Sequence, residues 1–244
     1  MKSPLYLRIK YHIFDELQIL DVSTIDWLKE NQEFKEVNIF EIKKAFKPLD
    51  KNLFINLAPH SNWFNNSSRR LSIHGESHAL RVILFTYILC SLKNIKNYEK
   101  YLVAASIHDV ARISDNEDLE HGKRASKWFL DNLDIFCNLS KEDIEEISES
   151  VTYHDINYEN IPSSALSKSR EMIDIIKCAD ALDRFRLPKE GWWPKKEFFK
   201  IDLPERLFDL ANKLVYETES LIVKDSFDPL LSVIQIGSKS SLIA

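Results

Sequence analysis

Glycine is scarce in this chain, with 4 among 244 residues. Rossmann-type sheets and β-sandwiches use glycine at turns that need left-handed or tightly reversed backbone, so the scarcity points to helices joined by compact loops. Cysteine is also sparse. Cys90, Cys137 and Cys178 are odd in number, widely spaced, never in a CxxC pair and set among apolar residues. They read as buried, reduced thiols of a cytoplasmic protein. No apolar run reaches the length of a spanning helix. The opening "MKSPLYLRIKYHIFDELQ" breaks its apolar residues with charges, which fits neither a signal peptide nor a membrane segment. No membrane partner is expected. A long basic block is missing too, and the formal net charge is −5, so a general nucleic-acid footprint is not signalled.

What is present is a series of helical periods. Residues 1–66 read as an N-terminal helical extension. Within it, "VSTIDWLKENQEF" has Ser23 or Thr24 as a cap, and "NIFEIKKAFKPL" spaces Ile39, Phe40, Ile42 and Phe46 helically before Pro48. "NLAPHSNWFNNSSRR" is polar and turn-prone, a loop before residues 67–244. "HALRVILFTYILCSL" is apolar nearly all round after Arg81 and reads as a central, buried helix. Further helices follow in "NYEKYLVAASIHDVA", "EHGKRASKWFLDNL", "SKEDIEEISESVTYHD" with Ser140 as its cap, and "SREMIDIIKCADALDRF". Another starts at Pro204, and the tail "LLSVIQI" leans towards a strand or an extended arm. The fold class is all-α.

Polar residues interrupt these apolar segments at their ends. His78 starts one, His108 and Asp109 close the next, His121 opens another, His154 closes a fourth, and Asp180 sits in the fifth among small residues. A helical bundle can bring such residues together in its interior. Neutral imidazoles and ionised carboxylates are ligands for Zn, Fe, Mn and related divalent ions. A buried carboxylate alone loses several kcal/mol of hydration, and a divalent cation supplies the missing counter-charge. In one arrangement Asp109 bridges two ions, with His78 and Asp180 on one and His108 beside them, and His121 and His154 on the other. Each residue alone has a plainer reading as a helix-end histidine or a local hydrogen-bonding group. His12 and His60 stay outside the pattern.

The order His78, His108-Asp109, Asp180 resembles the HD-domain superfamily of metal-dependent phosphohydrolases. With His121 and His154 added, it is similar to the six-ligand subset that holds two metals. "SIHGESHALRV", "IHDVAR", "EHGKRA" and "CADALDRFRL" carry the resemblance, which covers about residues 70–190. "PKEGWWPKKEFF" departs from it. The resemblance implies an HD-type helical bundle over 67–244 and two divalent ions (Fe, Mn, Co, Zn or Ni). It also implies hydrolysis of a small phosphorylated substrate, a nucleotide or related phosphoester or phosphoanhydride, by a metal-activated water. Asp109 then serves both as ligand and in catalysis.

Arg81, Arg112, Arg124 and Arg184 lie within about a turn of these ligands and are candidates to hold phosphoryl oxygens, with Lys123 and Lys177 as weaker ones. Each arginine can equally pair with a neighbouring carboxylate. Asp183, three residues past Asp180, is placed to orient a ligand or pair with an arginine. His74 stands where the cyclic-nucleotide phosphodiesterase branch places a proton donor, which makes it a candidate general acid, with Glu76 a second. Trp192, Trp193, Phe198 and Phe199 read first as a plug docking the last helix and second as a stacking surface. Two other outcomes share the ligand order: a mixed-valent di-iron oxygenase, and a binding or regulatory module without chemistry.

Overall fold

The computed structural model describes residues 2–35 and 47–244. Among the described residues it is all-helical, with no strand and a single parallel β-bridge between Leu49 and Ile243. The helices are α1 (Leu5–Lys10), α2 (Val22–Asn31), α3 (Lys51–Leu57), α4 (Glu76–Leu92), α5 (Glu99–Ile107), α6 (His121–Asp131), α7 (Lys141–Tyr153), α8 (Ser163–Leu182), α9 (Glu205–Lys224) and α10 (Pro229–Lys239). The helix expected around Ile39, Phe40, Ile42 and Phe46 lies outside the described residues.

α4 is the axis of the bundle. Ala79, Leu80, Val82 to Phe85 and Ile88 to Cys90 are all buried, because α5, α8, α9 and α10 cover it from different sides. A helix apolar all round has no stripe to face outwards, so its sequence dictates a central position. α6, α7 and α8 pack in series beside it, and α5 contacts both α4 and α7. Each buried Leu, Ile or Phe in this core contributes about 1.5–3 kcal/mol over an exposed one.

Local chemistry sets the helix starts. Ser140 and Asp143 form a reciprocal capping box on α7. α2 begins at Val22 under Asp21, whose carboxylate accepts from the Thr24 amide at 2.9 Å, so the cap is Asp21 rather than Ser23 or Thr24. Asp228 caps α10, with Pro229 at its first position. The tail expected to be extended is therefore helical to Lys239. Its β-branched residues, Val233, Ile234 and Ile236, are buried against the bundle, and that burial outweighs their strand preference.

Residues before 67 pack in two places. Phe54 and Leu57 of α3 join the main core. Leu5, Ile9, Ile25 and Leu28 of α1 and α2 form a second cluster with Ile73 and Leu187, against which Trp27, Trp192, Trp193 and Tyr216 pack. Trp193 tilts against Trp27 at 6.1 Å and donates to the Leu187 carbonyl at 2.8 Å, which is the plug role. Cys90 and Cys178 are buried, but Cys137 is exposed in the turn after α6, contrary to the expected burial of all three. No described helix is long and apolar enough to cross a membrane.

Candidate metal centre

Five helix ends converge at one point inside the bundle. His78 lies in the first turn of α4, His108 caps the C-terminus of α5 with Asp109 next to it, His121 starts α6, His154 caps the C-terminus of α7, and Asp180 lies in the last turn of α8. The four imidazoles and Asp109 are buried. His78 and His108 bring their Nε2 atoms to 3.0 Å, and His121 and His154 do the same at 3.0 Å. Asp109 lies between the pairs. Its Oδ2 is 3.6 Å from His78 Nε2 and 3.9 Å from His108 Nε2. Its Oδ1 is 3.1 Å from His121 Nε2 and 3.5 Å from His154 Nε2. Asp180 Oδ1 is 3.3 Å from His78 Nε2.

The opposite ring nitrogens decide what these pairs want. Nδ1 of His108 donates to the Ala105 carbonyl at 2.7 Å, that of His154 to Val151 at 2.7 Å, and that of His121 to Asp118 at 2.5 Å. A carbonyl can only accept, so each Nδ1 carries the hydrogen, and in the neutral form of such a ring Nε2 keeps its lone pair for a ligand. Nδ1 of His78 meets Asp183 Oδ2 at 2.8 Å. Burial pushes the Asp183 carboxyl up, but Arg81, His78 and Arg186 outweigh it and hold it at about 2, so it accepts as an anion. Two lone pairs at 3.0 Å repel unless a proton or a metal ion stands between them. Three groups here (His78, His108 and half-buried Asp180; buried His108, Asp109 and His154; His121, His154 and exposed Asp155) can hold a metal ion, and the donor set fits one.

Burial pushes the His108 imidazole down to about 3, which keeps it neutral and ready to ligate. For Asp109 burial acts upwards, yet Arg112 and the neighbouring imidazoles hold it well below the usual carboxylate range. Asp180 is likewise held low against its burial, chiefly by His78.

Gly122 makes the second pair possible. A Cβ there would lie 2.7 Å from the Val151 carbonyl oxygen and 2.8 Å from that of Thr152, so only glycine lets the start of α6 close on the end of α7. Gly75 plays a similar part at the cap of α4, where a Cβ would meet the Arg70 and Arg69 carbonyl oxygens at 2.3 and 2.5 Å.

The surrounding candidates divide. Arg81 is fully buried and gives Nε and Nη2 to Asp183 at 2.5 and 3.0 Å and Nη1 to Thr218 at 3.1 Å, with Glu219 at 2.7 Å. It holds the carboxylate that orients His78 and faces no open space. Arg124 donates to the Asp118 carboxylate at 2.6 Å and steadies the loop whose carbonyl receives His121. Lys123 pairs with Glu120 on the surface. Arg112 comes within 3.5 Å of Asp109 and 3.1 Å of His121 Nε2. Arg184 is exposed, and its side chain has no hydrogen bond or ion pair among the described residues.

Two cavities flank Arg184. One, of about 310 Å³, reaches His154 and Asp180 and includes Lys177, Lys200 and Tyr158. The other, of about 500 Å³, includes His74, Arg112 and Trp192. Lys177 donates to the carbonyls of His154 and Ile156 at 3.0 and 2.6 Å. Glu76 does not join the site: it is buried in an ion pair with Arg70, which also binds Asp228, and lines neither cavity. His74 sits edge-on to His78 at 5.9 Å, with Nδ1 3.1 Å from Asp115. Burial, with Arg112 nearby, lowers it to about 3. A ring so held offers a lone pair rather than a proton, against the general-acid role its position suggests. His12 lies at a positive φ of 57° and His60 packs edge-on to Trp63, both away from the centre.

Asp115 went unread in the sequence. Its buried carboxylate accepts from the Gln18 amide at 2.6 Å, Ser72 Oγ at 3.1 Å and His74 at 3.1 Å, and pairs with Arg69 at 3.5 Å. Arg186 was missed too: buried, it pairs with Asp183 at 3.2 Å. Its spacing of three residues from Asp183 was the local signal for it. No protein-family model, curated protein or solved structure matches the chain.

Proposed function

We propose that the chain is a metal-dependent phosphohydrolase that holds two divalent ions and cleaves a phosphoester or phosphoanhydride in a nucleotide or related small molecule. The observation that supports this reading most is the facing of bare imidazole nitrogens in two pairs across one carboxylate, Asp109. His78, His108 and Asp180 would hold one ion, His121 and His154 the other, with Asp109 shared. Ions bound there supply hydroxide near neutral pH and offset charge developing on phosphoryl oxygens.

The chain's own residues supply the rest. Arg184, without a side-chain partner among the described residues, together with Lys177 and Lys200 gives the smaller cavity a cationic side that attracts an anionic phosphoryl group towards Asp180 and His154. Arg112 offsets the charge of Asp109. His74, neutral and fixed by Asp115, can accept a proton from a water in the adjoining cavity.

The test is metal analysis of the purified protein, followed by phosphate release from nucleotides, dinucleoside polyphosphates, cyclic nucleotides and simple phosphoesters with Mn, Co or Fe. The expected result is bound metal and turnover that falls on the order of a hundred- to a thousandfold in Asp109→Ala, as when one group that stabilises developing charge is removed. Tightly bound iron with dioxygen consumption and no phosphate release would replace this reading with an oxygenase. No change in metal content or activity in Asp109→Ala would support a non-catalytic module instead.

A further inference from the structure

The larger cavity differs in character from the one above the ligands. Phe14, Ile73, Leu187 and Trp192 give it apolar walls, with Gln18 and Asn116 as polar edges. Its volume of about 500 Å³ is in the range of small-molecule sites. Phe14 and Gln18 come from the segment between α1 and α2, and that segment is fastened in place. Gln18 donates its amide to Asp115 at 2.6 Å and its side chain to Asn116 at 2.8 Å. The Asp115 amide returns a bond to the Glu16 carbonyl at 2.8 Å, and Arg69 donates to the same carbonyl at 3.2 Å. The carboxylate of Asp115 also fixes His74, which packs edge-on to His78. One buried acid thus ties the N-terminal segment to the metal-ligating helix. Trp192 is anchored by the Lys189 ammonium, 4.4 Å from its ring centroid. Arg184 lines both cavities.

We propose that Phe14, Gln18 and Trp192 form a recognition subsite for a flat, apolar ring carried by an anionic phosphoester, with Arg184 between the ring and its phosphoryl end. The assignment of the phosphoryl end rests on the phosphohydrolase reading, whereas the ring subsite stands without turnover. A flat ring covers the aromatic walls and displaces weakly held water from them, with Gln18 and Asn116 bordering its edge. Small sugar phosphates and inorganic polyphosphate leave those walls wet.

The test compares two phosphonates that resist hydrolysis, 1-naphthylphosphonate and methylphosphonate, by calorimetric titration of the metal-loaded protein. The naphthyl compound is expected to bind at least about tenfold tighter, in line with the stacking of one ring on aromatic side chains. That preference should fall about five- to tenfold in Trp192→Ala and in Phe14→Ala, and largely return in Trp192→Phe. Phe14 is 46% exposed, so its truncation keeps the fold and carries the test if Trp192→Ala melts early. Arg184→Ala should weaken both phosphonates alike. Equal affinity for the two compounds, or a preference untouched in both alanine variants, overturns the subsite. Preference without phosphoester turnover in any substrate keeps the subsite and removes the hydrolase reading; turnover without preference does the reverse.

Discussion

The two histidine pairs look alike in spacing and differ in what stands behind them. Behind His78 is a wholly buried set of charges: Asp183 takes Nδ1 of His78 and is held in turn by Arg81 and Arg186. Behind His121 and His154 stand the backbone carbonyls of Asp118 and Val151, and the carboxylate there, Asp155, is exposed and lies 3.4 Å from the His121 nitrogen rather than in a buried charge set. A carboxylate behind an imidazole makes it a more basic ligand than a carbonyl does. The first pair also has Asp180, which places two acids beside it. Under the two-ion proposal, the first half would hold its ion more tightly than the second.

Asp183→Asn breaks the first half and has the largest expected effect. The substitution keeps the shape but removes the charge facing Arg81, which is fully buried. Removing one partner of a buried pair costs about 3–5 kcal/mol. An amide in that place can also donate to Nδ1 of His78, which would shift the ring's hydrogen to Nε2 and block ligation. Metal affinity should fall about 10–100-fold at the first half, while the second keeps its ion. Metal content per chain after dialysis, alongside denaturant unfolding, checks both. Equal loss from the two halves would show that the backing charges do not distinguish them.

Gly122→Ala breaks the second half instead. The added methyl meets backbone oxygens of Val151 and Thr152, which cannot swing aside as a side chain would. α6 must then back away from α7, carrying His121 from His154. About 1–3 kcal/mol of stability should be lost to the clash, and the second ion should leave while the first stays. Retention of both ions would mean that the 3.0 Å approach of the two rings is not needed for binding.

These two positions also show where the sequence was legible. The six candidate ligands announced themselves because each is a polar residue at the end of an apolar helix, where hydration loss demands a reason. Asp183 was readable from its spacing to Asp180 on one helix. Gly122 was not, because nothing local requires glycine there; the demand comes from a neighbouring helix. Asp115 was invisible for the same reason, since its partner Gln18 lies 97 residues away and such a contact leaves no local period. Arg81 shared a helix with His78, yet spacing could not tell that Asp183 and Glu219 would claim its guanidinium. For α10, Asp228 followed by Pro229 was the legible start signal, and the β-branched run after it masked the helix.

The smallest effect is the one that separates the halves without mutating their supports: proton uptake in the metal-free protein. His108, in the first half, is pushed down to about 3 from 6.5 by burial. Below pH 6.5 the unfolded chain takes up a proton that the folded ring refuses, so this group's contribution is present above pH 6.5 and is lost as pH falls towards 3. For His121, in the second half, burial acts downwards but Asp109, by charge and hydrogen bond, outweighs it and raises the ring above its ordinary value. The folded protein then keeps a proton that the unfolded chain has released. That contribution is whole below pH 6.5 and is lost as pH rises through the raised value. Thermal melts of the metal-free protein across this range should therefore decline on both sides. His108→Gln should flatten the acid limb and His121→Gln the alkaline one; both variants flattening the same limb would sink the distinction.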